Sequence, residues 1–228
     1  MHMSTTTSSS ARTAIPPKFG NAEEWHHGLG DVPLSRIVFD PWPGTATEQD
    51  LLTFVERDKR LVELVDGTLV EKPMGYYESL LAGVLIQLLR NFLDAHDLGI
   101  VLAADDPLRL ASGLVRIPDV CFISWERFPN RELPAEPIPE LAPDLAVEVL
   151  SESNTEAEME RKLREYFAAG TRVVWYVEPE PRTVRVYTSP SDVRLVGEAE
   201  TLDGGTVLPG FQLKVREWFD RAGRRRSR

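Results

Sequence analysis

The stretch RIPDV at residues 116–120 and the stretch DLAVEVLS at residues 144–151 decide the fold of this chain. Each places one carboxylate, Asp119 or Glu148, among aliphatic and β-branched residues, which is the composition of a buried strand. A buried charge is costly unless something pairs with it. Two such acids on neighbouring strands therefore indicate a shared partner, and a divalent metal ion is the simplest candidate.

Residues 144–178 predict a strand, a crossover helix and a second strand parallel to the first. The expected elements are a strand at 144–150, a capping box at 153–156, a helix at 155–169 with Gly170 as its C-cap, and a strand at 172–178. Apolar residues of the helix form one packing stripe, and Lys162 lies at the boundary of that stripe. Its long side chain can extend along the sheet and project the ammonium group toward the strand end.

The segment upstream predicts helices and a β-hairpin. The expected elements are a capped helix at 47–57, strands at 61–65 and 68–71 joined by an Asp-Gly turn, and an amphipathic helix at 79–96. Glu63 stands alone among aliphatic neighbours in the first strand, and two interpretations stay open. It is either a third acid that faces the site or an edge-strand glutamate that reaches solvent.

The formal net charge of -10 is unevenly distributed along the chain. Residues 221–228 hold five arginines and no acid, so the remainder has 21 basic against 36 acidic residues. A body that acidic repels polyanions unless positive charge is gathered locally, so composition argues against tight binding of long nucleic acids. The arginine tail or a groove between two subunits could supply that local charge.

The composition predicts one domain with loose ends. Residues 1–30, with a Ser/Thr-rich run of low apolar content, are expected to be a disordered leader, 31–220 a single domain, and 221–228 a flexible basic tail. The single cysteine, Cys121, excludes an internal disulfide and fits a reducing compartment. The sequence shows neither a signal-peptide pattern nor an apolar run long enough to span a bilayer, so we expect a cytoplasmic protein without a membrane partner.

The two acids and the lysine also have a purely structural interpretation. Asp119 could cap a turn, Glu148 could pair with an arginine, and Lys162 could be a surface residue. If instead all three meet at one pocket, two carboxylate donors with water and a phosphate oxygen suit Mg²⁺. Two facing carboxylates without the ion should repel each other, so removal of Glu148 is expected to leave the fold intact.

The same residues resemble the pattern of the PD-(D/E)XK nuclease superfamily. The matching segments are 116–120, 145–151, Lys162 with Tyr166 and Gly170, and 174–177. Residues 62–67 and 208–211 extend the similarity, which narrows to the restriction-endonuclease-like Uma-two family. The resemblance runs from about residue 47 to residue 219, so it rests on far more than one motif.

The resemblance implies a restriction-endonuclease-like α/β fold, with a central mixed β-sheet flanked by helices and with an N-terminal helix and β-hairpin. It also implies a homodimer that hydrolyses phosphodiester bonds of DNA with Mg²⁺, for which Mn²⁺ can substitute. Asp119 and Glu148 match the metal acids of the superfamily. The backbone carbonyl of Val149 would then be a further metal ligand.

The chain departs from the superfamily pattern at Leu150, where a lysine of the strand is expected. Lys162 resembles a lysine that has migrated to the following helix, and Glu63 matches an acid near the first hairpin of the family. The resemblance therefore makes Asp119, Glu148, Lys162 and Glu63 the candidate catalytic residues. The main alternative is a catalytically inactive module of the same fold that binds nucleic acid or a protein partner. A metal-dependent hydrolase of a smaller phosphorylated or carboxylic substrate is a further alternative.

Overall fold

The structure is a computed structural model that describes residues 19–223. Two neighbouring strands, at residues 120–124 and 145–149, form its centre. Within residues 19–223 the helices are α1 (Ala22–Gly28), α2 (Glu48–Asp58), α3 (Tyr76–Ala95), α4 (Glu156–Ala168) and α5 (Val215–Arg221). The strands are β1 (Val62–Val65), β2 (Thr68–Glu71), β3 (Gly99–Leu102), β4 (Leu108–Ala111), β5 (Leu114–Arg116), β6 (Val120–Ser124), β7 (Leu145–Val149), β8 (Val173–Glu178), β9 (Thr183–Ser189), β10 (Asp192–Val196), β11 (Thr201–Asp203) and β12 (Gln212–Lys214). Short 3₁₀ turns occur at Leu34–Arg36, Trp125–Arg127 and Pro129–Arg131.

The larger sheet of the described region has six strands in the order β10-β9-β8-β7-β6-β3. β7 and β8 run parallel, whereas the other neighbouring strands of this sheet are antiparallel. A parallel pair needs a crossover connection, and α4 supplies it. The structure thus confirms the predicted strand–helix–strand unit and the α/β fold with a central mixed sheet flanked by helices.

Alternation along β7 divides its side chains between two cores. Leu145, Val147 and Val149 pack with apolar residues of α3 and α5, whereas Ala146 packs with the apolar face of α4. Successive side chains of a strand point to opposite faces of the sheet. Glu148 therefore shares the α4 face with Ala146, where side chains of α4 can meet it.

The C-terminal helix α5 closes the opposite face of the sheet against α3. Trp218 and Phe219 are fully buried, and the indole N–H of Trp218 donates to the carbonyl of Leu81 at 2.9 Å. These contacts anchor α5 on the core. Neither α3 nor any other helix within residues 19–223 has the length and apolar character needed to cross a membrane.

The smaller of the two main sheets, in the order β2-β1-β5-β4, carries the predicted hairpin, and β11 and β12 pair as a separate two-stranded sheet. Asp66 and Gly67 adopt φ angles of 47° and 71° at the tight turn that joins β1 to β2, as predicted. Only residues 117–119 separate β5 from β6, so this short connection passes from the smaller sheet to the larger one. The candidate site lies where the connection crosses.

Capping side chains set the starts of two helices. Thr47 caps α2 in a reciprocal box with Asp50, as predicted. The predicted capping box at 153–156 is wrong by two residues, because Thr155 is the N-cap of α4 and its hydroxyl accepts from the N–H of Glu158 at 3.0 Å. The hydroxyl of Ser153 is instead bonded to that of Ser151 at 2.8 Å.

The predicted disordered leader extends too far into the chain. Residues 22–28 form α1, and Leu29 behind it is only 2% exposed. Leu29 packs in an apolar cluster that includes Val65. This burial offsets the conformational entropy lost on ordering, whereas a Ser/Thr-rich run has too little apolar surface to do so. At the other end Arg221 still belongs to α5, so the predicted tail begins too early. The rest of both predictions, at 1–18 and 224–228, lies outside the described residues.

We predict that Gly30→Ala destabilises the protein by about 2–4 kcal/mol, measured by urea unfolding. Gly30 has a φ of 88°, and a Cβ there would lie 2.6 Å from the Cα of Glu158. Gly44→Ala is the matched control, since Gly44 has a φ of 86° and nothing within 4 Å of an added Cβ. The control should lose only about 1 kcal/mol, from the left-handed backbone alone. Equal losses in the two variants would mean that the 19–30 segment does not pack on α4.

Candidate functional site

Asp119 lies at the point where the chain enters the larger sheet. Its backbone N–H donates to the carbonyl of Val147 at 3.0 Å. Val120 pairs with Val147 in the antiparallel register of β6 and β7, so the residue before Val120, Asp119, lies opposite the residue after Val147, Glu148. Its Oδ2 accepts the N–H of Val149 at 2.6 Å, which fixes the carboxylate toward β7. The two acids are 5% and 4% exposed, respectively. The register of β6 and β7 therefore brings these two predicted residues together.

Lys72 joins the two acids, and sequence reasoning missed it. Its Nζ lies 2.8 Å from Asp119 Oδ1 and 3.5 Å from Glu148 Oε2, and it also donates to the carbonyl of Ile117. Burial favours the neutral amine, but the charges of Asp119, Glu148 and Glu63 outweigh it, so the pKa of Lys72 is raised. The sequence signal was a lysine that directly follows the predicted strand at 68–71.

Lys162 reaches the site from α4, as predicted, but it is only 2% exposed and lies within the buried face rather than at its boundary. Its Nζ is 3.2 Å from Glu63 Oε1 and 3.4 Å from Glu148 Oε1. One turn further along α4, the hydroxyl of Tyr166 donates to Glu148 Oε1 at 2.7 Å. Burial and then the charge of Glu148 raise the pKa of Tyr166 well above its ordinary value, so Tyr166 stays a donor.

Glu63 is fully buried, and the edge-strand interpretation is wrong because β1 lies between β2 and β5. Its Oε2 accepts from Arg116 Nη1 at 2.7 Å, and its Oε1 accepts from the N–H of Ile117 at 3.1 Å. Burial by itself would raise the pKa of Glu63, but the charges of Lys162, Arg116 and Lys72 lower it overall. Glu63 therefore fixes the positions of Lys162 and of the 117–119 connection.

Arg116 completes the network on the side away from the two predicted metal acids. Its guanidinium contacts Glu63 and also Glu165 of α4, whose Oε2 lies 2.8 Å from its Nε. Burial opposes the charged form, yet Glu165 and Glu63 raise the pKa of Arg116. Lysines, rather than this arginine, contact Asp119 and Glu148. The structural interpretation of Glu148 as an arginine partner is therefore wrong.

A narrow pocket opens at Asp119 and Glu148. The residues that line it are Arg36, Lys72, Pro73, Met74, Gly75, Glu78, Asp119, Glu148, Val149, Ser151, Asn154 and Lys162. Glu78, at the start of α3, is 6% exposed. Arg36 is held by a bidentate pair with Glu158 at 2.8 Å for both bonds. The site thus combines buried acids with three cationic side chains around one opening.

The donor set fits a hard divalent cation. Asp119 and Glu148 direct carboxylate oxygens at one cationic group, the ammonium of Lys72, so both oxygens can serve one positive centre. Within residues 19–223 no group of three or more His, Cys, Asp and Glu side chains has the geometry of a metal site. Two protein carboxylates are nevertheless sufficient for Mg²⁺, which keeps several waters and takes further oxygens from phosphate.

The expectation that the metal-free acids repel each other is wrong for this site. Lys72, Lys162 and Tyr166 all contact Glu148, so its carboxylate is compensated by two cations and a hydroxyl. Removal of Glu148 would leave these groups without their shared partner, and this loss is destabilising in a buried site. Leu150, where a lysine of the strand was expected, packs at the margin of the α4 core.

We predict that Glu63→Gln lowers the free energy of unfolding by about 2–4 kcal/mol, because it leaves Arg116 and Lys162 buried with less compensation. Urea denaturation measures the loss. Glu160→Gln is the matched control on α4, since Glu160 is 62% exposed in its pair with Arg164 and should change stability by less than about 0.5 kcal/mol. If Glu63→Gln were as stable as the control, Glu63 would not hold the network together.

Comparisons with known proteins agree with this architecture. A crystal structure from Anabaena variabilis ATCC 29413, described as "a putative nuclease belonging to DUF820", superposes with a TM-score of 0.64. It is 18% identical, and the match covers 72% of this chain and 92% of that chain. At this level of identity the likeness shows the fold. A search of curated proteins finds no match.

The sequence model of the Uma2 family, described as "Putative restriction endonuclease", matches residues 48–216. This range includes Glu63, Lys72, Asp119, Glu148 and Lys162, and it confirms the resemblance inferred from the sequence. Because the match covers most of the 228 residues, the chain belongs to the Uma2 family.

Proposed function

We propose that this protein is a Mg²⁺-dependent endonuclease that hydrolyses phosphodiester bonds of DNA, with Mn²⁺ as a substitute for Mg²⁺. The supporting observation is the convergence of the Asp119 and Glu148 carboxylates on one cationic centre at the wall of a pocket. The Uma2 family, with its restriction-endonuclease description, supports the same class of reaction. Oxygen ligands of this kind suit Mg²⁺ in phosphoryl chemistry.

In this proposal Asp119 and Glu148 hold the ion, and the backbone carbonyl of Val149 is a further ligand. When bound, the ion would polarise a phosphoryl oxygen and make a coordinated water more acidic. The N–H of Val149 orients the carboxylate of Asp119, and the hydroxyl of Tyr166 orients that of Glu148. Outer contacts of this kind fix the ligands before substrate binds.

Lys162 contributes positive charge next to the reacting phosphate in this proposal. Its ammonium contacts Glu148 and lines the pocket, so it is placed to stabilise negative charge on the phosphoryl oxygens or to position the attacking water. Glu63 is fully buried behind Lys162, and we assign it a positioning role for that lysine. Arg36 adds positive charge at the pocket wall, where its guanidinium is held by Glu158 and by the carbonyls of Glu71 and Ser153.

The alternative proposal is a catalytically inactive module that binds nucleic acid or a protein partner. The observation in its favour is the complete set of ion pairs at the site, since Lys72 and Lys162 already compensate the two acids. Such a network can hold a fold together without any metal. A binding module would retain a DNA-dependent or protein-dependent interaction when Asp119 is replaced.

We predict that the protein nicks or linearises supercoiled plasmid DNA when Mg²⁺ or Mn²⁺ is added, and not in EDTA. Asp119→Asn and Glu148→Gln should each reduce cleavage by at least about 100-fold, the upper end of what the loss of an outer-shell partner costs. Agarose gels measure cleavage, and circular dichroism checks that each variant is folded. Both variants keep the shape of the side chain, so a loss of activity is not a cavity effect.

The two proposals give different results in this assay. Intact plasmid with every metal, together with DNA binding that Asp119→Asn leaves unchanged, would favour the inactive module. Cleavage that survives both substitutions would place the chemistry elsewhere and contradict the endonuclease proposal at this site.

We further propose a cytoplasmic homodimer. Tyr76 and Leu80 lie one turn apart on α3 and are 84% and 38% exposed, next to the pocket that Gly75 and Glu78 line. Two apolar side chains on one helical face would bury each other across a two-fold interface. A second subunit would also widen the surface that can carry DNA.

We predict a mass of twice 25.7 kDa in light scattering, and a single-chain mass for Leu80→Glu, since a buried charge would oppose this interface. Leu195→Glu is the control, because Leu195 is 58% exposed on the edge strand β10, away from α3. A single-chain mass for the unmodified protein would contradict the dimer.

A further inference from the structure

Lys72 occupies the position in which a cation shared by the two acids would lie. Its Nζ lies 2.8 Å from Asp119 Oδ1 and 3.5 Å from Glu148 Oε2, and its side chain is only 6% exposed. The connection that carries Lys72 joins β2 to α3 and belongs to neither acidic strand. A third segment of the chain therefore delivers a positive charge to the metal acids.

The ammonium group and a divalent ion cannot share this position. Mg²⁺ binds carboxylate oxygens at about 2.0–2.1 Å, so an ion on Asp119 Oδ1 and Glu148 Oε2 would lie in the space that Nζ now fills. An ammonium group and a divalent ion held next to each other at the same two carboxylates would also repel each other strongly in a buried site. One of them must leave before the other can bind.

Lys72 is better placed to leave than Lys162. Lys162 is fixed on α4, is 2% exposed and contacts Glu63 as well as Glu148. Lys72 lies in the non-helical segment that also contributes Pro73, Met74 and Gly75 to the pocket wall. A lysine carries a compact charge on a flexible stem, so it can swing into the pocket while its backbone stays in place.

We propose that Lys72 is an exchangeable counter-ion of the metal site, whose ammonium compensates Asp119 and Glu148 until a divalent cation displaces it. The proposal rests on the proposed metal site and assigns it a built-in competitor. Displacement costs part of the binding free energy of the ion, so the apparent affinity for metal is lower than the two carboxylates alone would give. The displaced ammonium remains in the pocket, where it is available to a phosphate group.

The test is calorimetric titration of Mg²⁺, and separately Mn²⁺, into the unmodified protein and into Lys72→Met. We expect Lys72→Met to bind each ion at least about tenfold more tightly, because no ammonium has to be displaced. Without metal the variant should melt at a lower temperature than the unmodified protein, because Asp119 and Glu148 lose their shared cation. Saturating Mg²⁺ should raise the melting temperature of the variant by more than it raises that of the unmodified protein.

Two control variants separate displacement from a general change in charge. Lys162→Met also removes a buried cation next to Glu148, but not one that lies between the two acids, so its gain in affinity should be smaller. Lys214→Met removes an exposed lysine, 68% exposed, and should change nothing. Lys72→Gln keeps a donor for Asp119, serves if Lys72→Met fails to fold, and should also bind metal more tightly.

The proposal would be overturned if the unmodified protein and the Lys72 variants bound metal with equal affinity, or if Lys162→Met gained as much affinity as Lys72→Met. If the affinities are equal and Asp119→Asn abolishes metal binding, the metal site stands and only the role of Lys72 fails. If neither the unmodified protein nor any variant binds metal, or if Asp119→Asn leaves metal binding unchanged, the metal site and the proposed function are both overturned. Tighter binding by Lys72→Met with intact plasmid would support the counter-ion while contradicting the nuclease.

Discussion

A buried network of opposite charges is the constraint on which the candidate site depends. Its members are Glu63, Lys72, Arg116, Asp119, Glu148 and Lys162. They come from β1, the connection between β2 and α3, the end of β5, the connection between the two sheets, the central strand β7 and the helix α4. A buried ion is costly when its partner is lost, so no segment can shift without leaving a charge uncompensated. The network therefore ties the smaller sheet to the larger one at the pocket.

Stability alone does not explain so many charges in one place. Apolar side chains of similar volume often stabilise a protein as well as a buried ion pair does. The face of β7 away from α4 follows that rule, since it meets α3 and α5 through aliphatic and aromatic residues. A cluster of perturbed ionisable groups beside a pocket is the pattern expected of a functional site.

The charge balance of the pocket bears on how an acidic protein could meet DNA. The chain carries a net charge of -10, and the cations at the pocket are largely matched by their own acids. Such a pocket attracts a phosphate only weakly while its cations are paired with ionised acids. A divalent ion on Asp119 and Glu148 would reverse that balance, because it would neutralise the acids and release Lys72. Metal binding and phosphate binding would then be coupled.

The sequence by itself determined the helices and strands predicted between residues 47 and 178 and the face of β7 that Glu148 occupies, because alternation, capping and the Asp-Gly turn are local properties. It did not predict α1, and it left the direction of Glu63 open. Asp119, Glu148 and Lys162 were identified from these local properties, and the 117–119 connection, β7 and α4 place them at one pocket. Only the tertiary structure decided which charges meet. Lys72 and Glu148 are 76 residues apart, and Glu63 and Lys162 are 99 apart. Their pairing depends on how the two sheets cross at residues 117–119, and no local pattern records that geometry.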